Sequence, residues 1–206
     1  MKKLNRHTGK IILLLFLLNG FGMQVISAQD IRFGDYGEYT IEIEDVGLED
    51  LIFEGPINSN SGIHEVELID SKVLSIIGVK YLDVDVEITA DGKLYLDGDP
   101  SYDNDPQRSI PFTLRASFAN EGENNVTSSR QIGIANTPSM SSGSTRFPIL
   151  SRRQQPPGPP PTPPTGDFDQ SLVNETAYLY FYGQIDVGNV VAGSYRGTIT
   201  VTVEYR

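Results

Sequence analysis

The chain has 206 residues, 16 Lys+Arg against 27 Asp+Glu, and no cysteine. The missing cysteines exclude a disulfide framework and any thiolate metal site. A net charge of −11 argues against a phosphate-binding surface, so neither nucleic acid nor an anionic lipid face is an expected partner.

Residues 1–28 read as a secretory leader. Lys2, Lys3, Arg6 and Lys10 form a positive start, Ile11 to Leu18 is unbroken apolar sequence, and Val25-Ile26-Ser27-Ala28 sets small residues before Gln29. The apolar run is shorter than the ~20 residues of a membrane span, and no later segment of the mature chain predicts one. Removing the leader's four basic residues from the 16 leaves 12 against 27 acidic ones, a balance of −15 for residues 29–206. A body of that size can bury a core without disulfides, since roughly 100–150 residues suffice for one sandwich.

Taken in order, the elements are strands. Tyr39 to Glu44 alternates, with Ile41 and Ile43 on one face and acids on the other. Leu51-Ile52-Phe53 is a short apolar run closed by Gly55-Pro56. Ile63 to Ile69 and Val73 to Ile77 flank a turn at Asp70-Ser71. In Tyr81 to Thr89 the residues Leu82, Val84, Val86 and Ile88 share one face, and Asp91-Gly92 predicts a tight hairpin returning through Leu94 and Leu96. Ile110 to Phe118 repeats the alternation, and Arg130 to Ala135 is a weaker strand.

Residues 136–166 change character. Thr137 to Thr145 is rich in Ser and Gly, and Pro156 to Pro164 holds seven prolines in nine residues. Proline lacks a ladder donor, so a surface insertion of polyproline type is expected. Phe147 to Leu150 can add an edge strand. The neighbouring Arg146, Arg152 and Arg153 can fold back on the acidic body. Ala177 to Tyr182 restores the alternation, and Ile199, Val201, Val203 and Tyr205 alternate without a fault against Thr198, Thr200, Thr202 and Glu204. Seven to nine short strands without a helical or βαβ rhythm predict one all-β, antiparallel sandwich over residues 29–206.

Three stretches together resemble a known type. They are Asp50-Leu-Ile-Phe-Glu-Gly55, Tyr182-Gly183-Gln-Ile-Asp-Val187 and Ala192-Gly-Ser-Tyr-Arg-Gly-Thr-Ile-Thr-Val-Thr-Val-Glu-Tyr205. They resemble a bacterial secreted family of unknown function, itself similar to spore-coat-U-type and chaperone–usher pilin subunits. Glu54 and the proline-rich insertion depart from that pattern. The resemblance implies an immunoglobulin-like sandwich in the periplasm or on the surface of a Gram-negative bacterium. It also implies assembly with other surface or fibre subunits, or with itself, through a donated strand. Gln29 to Glu44 is then the candidate donor, with Ile41 and Ile43 as plugs; the other reading makes Tyr39–Glu44 the first strand of its own sandwich.

No nucleophile motif is present, and His64 is the one histidine after the leader, so no enzyme is predicted. Asp97, Asp99, Asp103 and Asp105 crowd one loop that can offer oxygens to Ca²⁺, although the spacing is not that of an EF-hand; a solvated acidic turn is the alternative. Tyr178, Tyr180 and Tyr182 form a ladder that can either stack on sugars or pack within the sheet. The expected function is a non-enzymatic structural or assembly module of the cell surface. The alternative is an extracellular module binding carbohydrate or protein, with calcium as a stabiliser.

Overall fold

Alternating apolar residues become the inner faces of two facing antiparallel sheets. The computed structural model describes residues 40–47, 50–54, 57–154 and 173–206, within a compact unit spanning Tyr39–Arg206. The leader, the turn at Gly55-Pro56, the proline run and most of the candidate donor (through Tyr39) lie outside the described residues.

Twelve strands are present among the described residues, more than the seven to nine that alternation predicts. They are β1 (Glu42–Val46), β2 (Gly62–Val66), β3 (Lys72–Val79), β4 (Asp83–Asp91), β5 (Lys93–Leu96), β6 (Ser109–Ala119), β7 (Arg130–Ile132), β8 (Ile134–Asn136), β9 (Met140–Pro148), β10 (Asn174–Val187), β11 (Tyr195–Arg196) and β12 (Ile199–Tyr205). The larger sheet runs β1-β3-β10-β6-β5-β11, with β2 also on β10 and β7 also on β6. The smaller sheet runs β12-β4-β9-β8.

Val84, Val86 and Ile88 from β4 meet Ile76, Leu114, Leu179 and Phe181 from the larger sheet in one buried core. The rings of Phe118 and Phe147 stack across the sheets with centroids 4.2 Å apart. Non-directional apolar burial of this kind is the main stabilising term.

Three sequence expectations are corrected. Asp91-Gly92 does not close a hairpin: β4 pairs with β9 and β12, whereas β5 pairs with β6 in the other sheet. The tight two-residue turn needs positive φ at both positions, and neither residue has it. Gly92 is instead a corner pressed on the backbone of Thr137 to Met140, where a Cβ would sit 2.6 Å from the Thr137 carbonyl oxygen. Nor is the Ser/Gly run part of an insertion, because Met140–Pro148 is a nine-residue strand between β4 and β8. Neighbours on both sides override weak intrinsic propensity there. Arg130 to Ala135 is two strands in different sheets, divided at Gly133.

Asn136 ties the sheets together. Its Oδ1 accepts from the Leu114 backbone N–H at 2.9 Å and from Ser141 Oγ at 2.6 Å, while its Nδ2 donates to the Leu114 carbonyl at 3.1 Å. Leu114 and Ser141 are fully buried while Asn136 itself is exposed, so losing the amide removes these bonds but opens the vacated space to water. Asn136→Ala is expected to cost about 1–2 kcal/mol. The check is a lower urea midpoint at unchanged slope.

Arg146 and Arg152 do fold back on the acidic body. Arg146 holds Asp85 through two contacts, at 2.5 and 2.8 Å, and Arg152 reaches Asp83 at 2.8 Å. The guanidinium of Arg146 keeps the Asp85 carboxyl below its ordinary range. Both pairs are solvent-exposed and add little stability.

Candidate functional site

The last strand is an edge. β12 pairs with β4 on one side and with no described residue on the other. Its register sets Thr198 opposite Asp91 and Arg206 opposite Asp83, and both positions bond across: Asp91 N–H to Thr198 O at 3.1 Å, and Arg206 N–H to Asp83 O at 3.2 Å. Antiparallel ladders alternate, so Thr200, Thr202 and Glu204 turn their backbone groups toward β4. The backbone N–H and C=O of Ile199, Val201 and Val203 point out of the sheet.

The side chains of the same three residues point inward, where they are only half-buried. Val84, Val86 and Ile88 on the adjacent β4 are fully buried. The difference arises because the space beside β12 is open. It is a cleft of about 1040 Å³ between the sheets. Its floor comes from Leu74 of β3, Phe181 and Ile185 of β10, Ile110 and Phe112 of β6 and Leu94 of β5; Ile199 and Val201 form one wall.

Two loop segments form its rims. Asp50–Phe53 forms one rim, with Phe53 edge-on to Phe112 at 6.2 Å, while Ile52 stands 56% exposed. Val190–Thr198 forms the other, with Val191 45% exposed. The Tyr195 hydroxyl fixes this second rim by donating to Val191 O at 2.7 Å and lying 3.2 Å from Gln107 O. Burial raises the Tyr195 hydroxyl above its ordinary pKa, with nearby Asp105 adding to the effect. Gly193 and Gly197 let this rim lie on Leu96 and Leu94, whose side chains occupy the places a Cβ would take. The Ala-Gly-Ser-Tyr-Arg-Gly segment is thus the cleft's wall-building device.

The acidic loop does not assemble a cation cage. Asp99 accepts from the Ser101 N–H at 2.9 Å, which caps a short 3₁₀ turn and lowers its pKa. Asp103 accepts from Lys93 at 3.0 Å, which lowers its pKa, and from the Tyr95 hydroxyl at 3.3 Å. Asp105 receives the Gln107 N–H at 2.9 Å. Asp97 is a turn residue with φ of 55°. Among the described residues no three acidic, His or Cys side chains gather as a metal site.

The tyrosine ladder faces outward from β10 but is covered. Tyr180 is fully buried, with its hydroxyl on Asn124 Oδ1 at 2.9 Å, and that burial raises its pKa. Tyr182 is 9% exposed and meets Ser117 Oγ at 3.3 Å. Neither ring has a face free for a sugar, so the ladder packs within the sheet; Tyr178 is half-buried. Ile41 packs against the core from the chain leading into β1, while Ile43 on β1 is 42% exposed. β1 thus pairs with β3 in this chain's own sheet, the arrangement given by the reading of Tyr39–Glu44 as the first strand of its own sandwich. His64 pairs with Ser61 Oγ at 2.7 Å.

No protein-family model and no curated protein matches the chain. Among solved structures, it aligns with a chain from "Chaperone-tip adhesin complex is vital for synergistic activation of CFA/I fimbriae biogenesis", at 15% identity and a TM-score of 0.35. The alignment covers 81% of this chain and 42% of that one, so the present chain spans less than half its length. At that score the fold assignment rests on the sheets themselves. No helix among the described residues is long and apolar enough to cross a membrane.

Proposed function

We propose that the protein is an exported, non-enzymatic structural subunit of the bacterial surface that assembles by receiving an extended segment of another subunit in the cleft beside β12. The observation that carries this reading is the coincidence of an apolar cleft with the outward backbone groups of Ile199, Val201 and Val203. An added strand would satisfy those groups while its alternate side chains fill the cleft, the mode in which main-chain bonds supply affinity and pockets supply specificity. An exposed edge of seven residues is otherwise an aggregation hazard that proteins normally cover.

With Ile41 and the strand after it committed to their own fold, the donor shortens to residues 29–38 of a second copy, where Ile31 and Phe33 alternate. Light scattering on the mature chain and on a form lacking residues 29–38 tests this. Oligomers, and a melting temperature that rises with protein concentration, are expected for the first alone. Oligomers of equal size in both would refute the donor.

A further inference from the structure

The β1–β3 register pairs Glu42 with Ile77, which sets Thr40 opposite Val79 two residues earlier. No direct ladder bond joins that pair. The Tyr205 hydroxyl, arriving from the end of β12, accepts from the Val79 N–H at 2.7 Å and donates to the Thr40 carbonyl at 3.2 Å. Gly78 makes room for it, since a Cβ there would lie 2.6 Å from the hydroxyl. One side chain of the smaller sheet is thus inserted into the first rung of an edge ladder in the larger one.

The strand it holds buries no side chain of its own. All five β1 residues are exposed, so among the described residues β1 is held by its ladder to β3, the Ser75 Oγ–Glu44 O bond and the Lys72–Asp45 ion pair, with Ile41 packed on the core just ahead of it. Elements with few buried apolar contacts open at low free energy. We infer that the Tyr205 hydroxyl is a latch for β1, and that engagement of the β12 edge is transmitted to β1 through it. The transmission rests on the strand-addition reading above; the latch does not. The consequence is regulatory, because the chain entering β1 is the chain that carries the donor.

The test is amide hydrogen exchange on the mature protein. In Tyr205→Phe the ring still separates Thr40 from Val79 while the bridging bonds are gone. Exchange across β1 is expected to quicken about tenfold, with β10 unchanged. No change in β1, or equal quickening of β1 and β10, would overturn the latch. A second arm adds a synthetic peptide of residues 29–38 to the form lacking them. Slowed exchange at Ile199, Val201 and Val203 together with altered exchange in β1 supports transmission. Slowing at the edge with β1 untouched refutes transmission and leaves assembly standing. An edge that ignores the peptide in a protein whose Tyr205→Phe variant loosens β1 defeats the assembly reading and leaves the latch.

Discussion

Gly183→Ala is expected to destabilise the protein by about 3 kcal/mol or more and to lower its melting temperature by roughly 6–12 °C. Gly183 lies inside β10, where that strand passes from β3 to β2 as its neighbour on one side while β6 continues on the other. Two costs fall on the same methyl group. The backbone is held at φ +156°, which side-chain-bearing residues rarely adopt. A Cβ would also strike the Thr113 carbonyl oxygen of β6, and a backbone atom in a ladder cannot swing aside as a side-chain tip can. Gly188→Ala is the matched control, because no heavy atom lies within 4 Å of its added methyl. It should be neutral, or slightly stabilising through the unfolded chain. Thermal unfolding by circular dichroism decides the matter: equal midpoints for the two variants would mean that β10 can relax around the methyl.

The strands were legible in the sequence wherever a strand has one wet and one dry face. The alternations in Tyr81–Thr89, Ile110–Phe118 and Ile199–Tyr205 correspond to β4, β6 and β12, because period-two patterning records which face is buried. Pairing was not legible. Asp91-Gly92 has the composition of a tight turn, yet its conformation is dictated by the Thr137–Met140 backbone packed on Gly92, a contact 45 or more residues away. Ser141 to Thr145 carries almost no apolar signal, and it becomes a strand because β4 and β8 flank it.

The cleft illustrates the same division. Its walls include Leu51–Phe53, which stands out as an apolar run, and the segment ending at Gly197, which lies in the Ala192–Tyr205 stretch that carries the family resemblance. The opening itself depends on no described strand lying beyond β12, and the want of a neighbour leaves no local pattern. The tyrosines at 178, 180 and 182 read as an outward ladder, which they are. Only the tertiary structure shows that Tyr180 and Tyr182 are buried on that face, with Asn124 and Ser117 meeting their hydroxyls.

Proline scanning of β12 should separate its two edges. Val201→Pro removes an N–H that faces out of the sheet, and proline is accommodated in edge strands when its nitrogen faces away from the ladder. The β4–β12 pairing is retained, and the monomer should lose only about 1 kcal/mol from the trimmed apolar contact. Assembly should weaken about 100-fold, equivalent to roughly 2.7 kcal/mol, because the ring removes a donor and stands where the incoming backbone would lie. Thr200→Pro does the reverse to the same strand. Its N–H points at Thr89 of β4, so proline breaks the internal ladder and should cost the monomer at least ~2 kcal/mol. Sedimentation equilibrium gives the association constant and urea unfolding gives the stability of each variant. The strand-addition model requires the two variants to fail in opposite assays. A Val201→Pro protein that assembles like the parent would show that the outward groups of β12 are not the docking edge, whatever fills the cleft beside them.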